Sequence, residues 1–109
     1  MNMTAPIMYP NTRRVGLADS SRSLLFHLLQ REYQPENKTQ TTAKIIEQER
    51  RYLRERVGLK PGTAIILERM LTGLYEDARH QLAILPKSTN DTPPQACPYT
   101  LQSLLETLD

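Results

Sequence analysis

A repeating apolar pattern between Gly62 and Pro86 places the strongest constraint on how this chain folds. Its members recur at intervals of four and three residues for nearly three heptads, the spacing of a helix that packs along another helix. They are Leu67, Leu71, Leu74, Ala78, Gln81 and Leu85. The pattern predicts a helix over about 64–85 that is roughly 33 Å long. Gly73 costs this helix about 1 kcal/mol relative to alanine, which favours a bend or a close helix contact there.

Two shorter helices are predicted upstream from capping residues and apolar stripes. Asp19, Ser20 and Ser21 offer N-cap oxygens for a helix over about 20–33. Its apolar stripe consists of Leu24, Leu25, Leu28 and Leu29. Thr41 or Thr42 would cap a second helix over about 42–57, and Gly58 stands where a left-handed C-cap belongs.

The remaining segments predict an arm, a linker and a short tail helix. Residues 1–18 contain Pro6, Pro10 and Gly16 and have no apolar period, so we expect a flexible N-terminal arm. A Pro-rich linker over 86–98 follows the helical domain of residues 19–85. Residues 99–108 then predict an amphipathic helix. The chain is therefore expected to be all-α, a small three-helix bundle with a C-terminal amphipathic helix.

Composition supports one small domain and excludes several classes. The chain has 109 residues, of which 39% are hydrophobic and 24% charged, an ordinary globular composition. This excludes a collagen, a disulfide scaffold and a fully disordered acidic tail. The single cysteine, Cys97, favours a reducing compartment, and no run of residues resembles a secretory signal or a membrane helix. We expect a cytoplasmic protein with no membrane contact, although arginines at residues 13, 14 and 22 loosely resemble a transit segment.

The apolar surface of the long third helix favours self-association. This helix carries apolar residues around most of its circumference, and two short helices cover only one side of it, so apolar surface is left over. A homodimer is the commonest solution to such a surplus. The residues expected in that interface are Leu67, Leu71, Leu74, Ala78 and Leu85.

The leucine spacing of the tail helix indicates a segment that docks on another surface. Its leucines recur at i, i+3, i+4 and i+7 and include an LxxLL pattern, which hydrophobic grooves recognise. They are Leu101, Leu104, Leu105 and Leu108. A helix this short is unstable alone, so it must dock on its own core, on a second copy or on another protein. The sequence leaves these three alternatives open.

The best nucleic-acid signal in the chain is the arginine cluster of the second helix, which consists of Arg50, Arg51, Arg54 and Arg56. Arg50 and Arg54 are one helical turn apart, and Arg13 and Arg14 lie in the basic arm, so these side chains could contact phosphates. Against this interpretation, the net charge is only +2 and glutamates are interleaved with the arginines of the second helix.

Catalysis is not expected. The two histidines, His27 and His80, lack metal-ligand spacing, and Cys97 has no cation or histidine nearby in sequence. No Gly-rich phosphate loop is present, and we predict no catalytic, cofactor-binding or metal-binding residues. The leading prediction is a non-catalytic protein–protein interaction module, such as an adaptor, regulator or secretion-type chaperone. The alternative is a nucleic-acid-binding transcriptional regulator, and salt dependence of binding separates the two.

Overall fold

The computed structural model of the chain describes residues 16–34, 40–85 and 92–106. These residues form four α-helices and contain no strand. The helices are α1 (Leu17–Tyr33), α2 (Gln40–Leu59), α3 (Gly62–Ile84) and α4 (Leu101–Leu105). The predicted all-α bundle of three long helices and one short one is confirmed.

Helix α1 lies at the centre of the bundle. It packs against both α3 and α2, whereas α2 and α3 share few direct contacts although a short turn joins them. The four leucines of α1 are all buried. They form two adjacent pairs about one turn apart, so the apolar stripe is wide enough to contact both α2 and α3. Helix α4 contacts α2 and α3. Helix α3 is the longest, but both α2 and α3 make most of their contacts with α1.

The beginning of α1 differs from the prediction. The helix begins at Leu17 with Gly16 as N-cap, and no side chain caps it. Ser20 instead donates a hydrogen bond from its hydroxyl to the carboxylate of Glu49 on α2, and Ser21 is buried. The predicted capping role of these serines is wrong because tertiary packing uses Ser20 to tie α1 to α2.

The turn between α2 and α3 is shorter than the sequence predicts. Helix α2 continues through Gly58, and the Lys60 N–H still donates to the Arg56 carbonyl at 3.0 Å. Pro61, with φ near the helical value at −57°, then leads directly into α3 at Gly62. Gly58 therefore does not end α2, and α3 begins two residues before the predicted start.

Residues 92–100 cross back over the bundle without regular secondary structure and lead into α4. The Tyr75 hydroxyl on α3 donates to the Pro94 carbonyl at 2.5 Å, and this hydrogen bond holds the segment 92–100 against α3. Helix α4 is half the predicted length, with Thr100 as N-cap in a reciprocal capping box with Ser103. Residues 1–15 of the predicted arm and 86–91 of the predicted linker lie outside the described residues.

Candidate functional site

The predicted self-association seam is part of the intramolecular core. Leu67, Leu74 and Ala78 are buried, and Leu71 and Leu85 are half-buried against the same core cluster. Helix α3 makes most of its contacts with α1, so this face packs within the chain. Three of the five predicted interface residues are therefore buried within the chain, and the other two are partly covered by it.

The opposite side of α3 is exposed along its whole length. Ile65, Ile66 and Ile84 are 55%, 52% and 81% exposed. At 100° per residue they share a face about 120° wide with the exposed residues between them. This outer face of α3 consists of Ile65, Ile66, Arg69, Thr72, Gly73, Glu76, His80, Ala83 and Ile84. It is the surface on which the surplus apolar area of α3 lies.

Gly73 lies in the middle of the outer face. A Cβ atom added to it would meet no atom within 4 Å, so nothing in the described part of the chain requires a glycine there. Of the predicted alternatives, a bend or a close helix contact, the contact is not made by any residue that the structure describes.

Helix α4 docks on its own chain. Leu104 is buried, and Leu101 and Leu105 are half-buried against the core. Leu108, the fourth leucine of the predicted docking face, lies outside the described residues. Of the three alternatives left open by the sequence, the structure shows docking on the chain's own core. Because α4 contacts both α2 and α3, it closes the gap between these two helices.

Two arginines of α2 hold the carboxyl end of α4. The Arg50 Nε donates to the Leu104 carbonyl at 2.9 Å and its Nη2 to the Ser103 carbonyl at 3.3 Å. The Arg54 Nη1 donates to the Leu105 carbonyl at 2.9 Å. Carbonyls at a helix C-terminus lack intrahelical partners and carry partial negative charge, so guanidinium groups stabilise them. We call this pair the arginine clamp.

The arginine clamp revises the predicted nucleic-acid contacts. Arg50 is buried, and it uses its guanidinium on backbone carbonyls rather than presenting it to solvent. Arg54 is exposed but also engages α4. Arg13 and Arg14 lie outside the described residues. No sequence signal could have revealed the clamp, because its acceptors are backbone atoms about fifty residues away along the chain.

Replacing Arg50 by methionine tests the clamp. Methionine keeps much of the aliphatic length but leaves the Ser103 and Leu104 carbonyls without these donors, so we expect a loss of about 1–3 kcal/mol in unfolding free energy. Urea denaturation measures the loss. The matched control is Arg51→Met on the exposed side of α2, which should change stability little. Equal stability of the two variants would show that the clamp contributes nothing.

Two tyrosines and the cysteine form a weakly polar cluster where residues 92–100 cross the bundle. The rings of Tyr75 and Tyr99 pack edge to face with centroids 6.3 Å apart, and the Tyr99 hydroxyl donates to Glu32 on α1 at 3.3 Å. Burial raises the pKa of Tyr99, Tyr75 and Cys97 above their usual values, and the nearby Glu32 carboxylate raises that of Tyr99 further. The cluster favours the neutral forms of these side chains, and the Cys97 thiol therefore ionises less readily than a free cysteine.

These shifts predict a loss of stability at alkaline pH. Each raised pKa means that the folded chain keeps a proton which the unfolded chain releases, near pH 9.0 for cysteine and 10.0 for tyrosine. Stability from this cluster is complete below about pH 9 and decreases as the pH rises through the folded pKa values. Urea denaturation at pH about 8 and about 11 should show the decrease, with a smaller one in Tyr99→Phe. An equal decrease in both proteins would exclude Tyr99 as a contributor.

The two histidines lie in different surroundings. His27 is engaged locally, with its Nδ1 2.7 Å from the Ser23 carbonyl, and His80 is exposed on the outer face of α3. No group of three His, Cys, Asp or Glu side chains in these ranges could hold a metal ion. A cavity of about 260 Å³ is lined by Gln34, Arg79 and His80, with apolar neighbours from α3 and Pro93.

None of the helices in the described ranges has the length and apolar composition needed to cross a membrane.

Comparison with known proteins identifies a family. The sequence model of the domain of unknown function DUF29 matches residues 11–108, which is nearly the whole chain. The chain belongs to the DUF29 family. No curated protein and no solved structure matches this DUF29 chain. The family match gives no activity, so the function of this DUF29 domain has to be argued from its own surfaces.

Proposed function

We propose that this DUF29 chain is a non-catalytic protein–protein interaction module that self-associates through the outer face of α3. The observation that carries the proposal is the exposure of three isoleucines on one face of a helix whose opposite face is fully engaged in the core. Exposed apolar side chains gathered on one face mark interaction sites more often than isolated ones do. The interface predicted from the sequence is thereby moved to the other side of the same helix.

The size of the outer face sets the strength of the association. From residue 65 to 84 the helix is about 28 Å long, and a helix presents a strip roughly 10 Å wide, so the face covers on the order of 300 Å². Stable interfaces bury about 800 Å² on each partner. We therefore expect a weak, reversible dimer rather than an obligate one, a property suited to a regulated interaction.

Both signs of charge occur on the outer face, which favours a second copy as the occupant. Arg69 and Glu76 are exposed there, and neither pairs with another residue of the described ranges. A two-fold interface brings one surface against itself, so it needs this kind of self-complementarity. The nucleic-acid alternative gains no support from Arg50 and Arg54, because both hold α4.

Sedimentation equilibrium between about 10 μM and 1 mM tests the proposal. We expect a monomer–dimer equilibrium, and Ile66→Glu should weaken it at least tenfold, about 1.4 kcal/mol, because it puts a charge into an apolar contact. The matched control is Ala43→Glu, which introduces the same side chain at an exposed position of α2 and should leave the equilibrium unchanged. A monomer over the whole range would overturn self-association.

Salt separates the proposal from its alternative. Association through isoleucines with Arg69 and Glu76 beside them should weaken only a few-fold between about 50 and 500 mM salt, whereas binding through several phosphate contacts decreases by orders of magnitude.

A further inference from the structure

We infer that two copies of this chain pair their α3 helices antiparallel, with the two-fold axis at Thr72 and Gly73. This inference rests on the proposed self-association and adds its geometry. The partner is a second copy of the chain, and the surface is the outer face of α3.

The four central residues of the outer face, Arg69, Thr72, Gly73 and Glu76, are arranged symmetrically about this midpoint. Thr72 and Gly73 occupy the centre, and Arg69 and Glu76 stand equally far from it, about 5 Å along the helix axis on either side. The isoleucines are not symmetric about it, since Ile65 and Ile66 lie about 10–11 Å before the midpoint and Ile84 about 17 Å after it. An antiparallel arrangement therefore places Arg69 of each copy opposite Glu76 of the other, and Ile65 opposite His80.

Charge decides between the two orientations. In a parallel pair every residue faces its own equivalent, so Arg69 would oppose Arg69 and Glu76 would oppose Glu76. Like charges placed directly opposite each other disfavour an interface, while opposite charges fix its register. The antiparallel pair makes both contacts attractive. Within the described ranges, neither Arg69 nor Glu76 would have to break an existing ion pair in order to form this contact. The neighbouring Asp77, by contrast, already forms an ion pair with Arg22 on α1 at 3.3 Å.

The glycine fits the crossing point. Helix axes pack 8–10 Å apart, and the distance depends on the side chains at the contact. Gly73 has no side chain and is exposed, and a Cβ atom there would meet no atom within 4 Å among the described residues packed around α3. Glycine disfavours a helix interior, yet no described residue makes use of its small size. A second α3 helix that crosses at Thr72 and Gly73 would make use of the missing side chain, because the two helix backbones can approach closely at a glycine.

Charge reversal tests the register. Arg69→Glu and Glu76→Arg should each weaken the dimer about tenfold or more, and the double variant should return its dissociation constant to within about threefold of the original. The two residues are seven positions apart, about 10 Å along one helix, so the rescue cannot come from within a chain. Absence of rescue in the double variant would overturn the inferred register.

Disulfide crosslinking tests the orientation directly. In a Cys97→Ser background, Gly73→Cys should give a disulfide-linked dimer under mild oxidation, because the two positions meet at the axis. His80→Cys is the matched control: the antiparallel pair separates its two copies by about 22 Å, far beyond the roughly 7 Å limit for a disulfide. Crosslinking at His80→Cys together with Gly73→Cys would show a parallel pair.

These outcomes separate the two proposals. A parallel crosslinking pattern would overturn the antiparallel inference while self-association remains. A chain that is monomeric in the sedimentation experiment would remove both.

Discussion

Replacing Leu74 by aspartate is expected to unfold this DUF29 domain. Leu74 is 6% exposed and belongs to the core cluster that α3 forms with α1. A carboxylate at this position would lie among the apolar side chains of that cluster, and burying a charge there costs several kcal/mol in addition to the lost leucine contacts. Domains of this size have only about 5–15 kcal/mol of stability in total. We expect a loss above about 4 kcal/mol, which circular dichroism and urea denaturation would measure.

The same substitution on the other side of α3 is the control. Ile65 is 55% exposed on the outer face, so Ile65→Asp should leave the unfolding free energy within about 0.5 kcal/mol of the original when measured on the dilute monomer. Its effect should appear in the self-association instead. If both variants unfolded at the same urea concentration, the division of α3 into a core face and an outer face would be incorrect.

Leu104→Asp is expected to undock α4 while the three long helices stay folded. Leu104 is the only residue of α4 that is fully buried, and a five-residue helix does not persist without its docking contacts. Undocking also leaves the Arg50 guanidinium without the Ser103 and Leu104 carbonyls as acceptors. We expect a loss of about 2–4 kcal/mol from these two effects together.

Amide NMR would follow the undocking residue by residue. The resonances of 92–106 should move to random-coil positions, while those of α1 remain dispersed. Gln102→Asp, an exposed position on the same helix, is the matched control and should keep α4 docked. Dispersed resonances over 101–105 in Leu104→Asp would contradict the assignment of Leu104 as the docking residue.

The sequence predicted the helices well because their signals are local. Four leucines in two adjacent pairs defined α1, and the heptad-like spacing defined α3. Both patterns depend only on helical periodicity, which is the same in every tertiary context. The predicted end of α2 at Gly58 failed because a glycine tolerates the helix that its neighbours extend.

The candidate surfaces were harder to predict because they depend on what each helix contacts. The heptad-like pattern of α3 identified a packing face correctly, but it could not show whether α1 or a second copy fills that face. Ile65, Ile66 and Ile84 were visible as apolar residues, and only the arrangement of the other helices left them exposed.

The sequence by itself therefore determined the helices and the apolar face of each, because both follow from residue spacing and local propensity. Only the tertiary structure decided which faces meet. It placed α1 between α2 and α3, docked α4 on its own chain, and turned Arg50 and Arg54 from solvent-facing cations into partners of backbone carbonyls. The physical reason is that these contacts join positions about fifty residues apart, and no local pattern encodes which distant backbone atoms a side chain will reach.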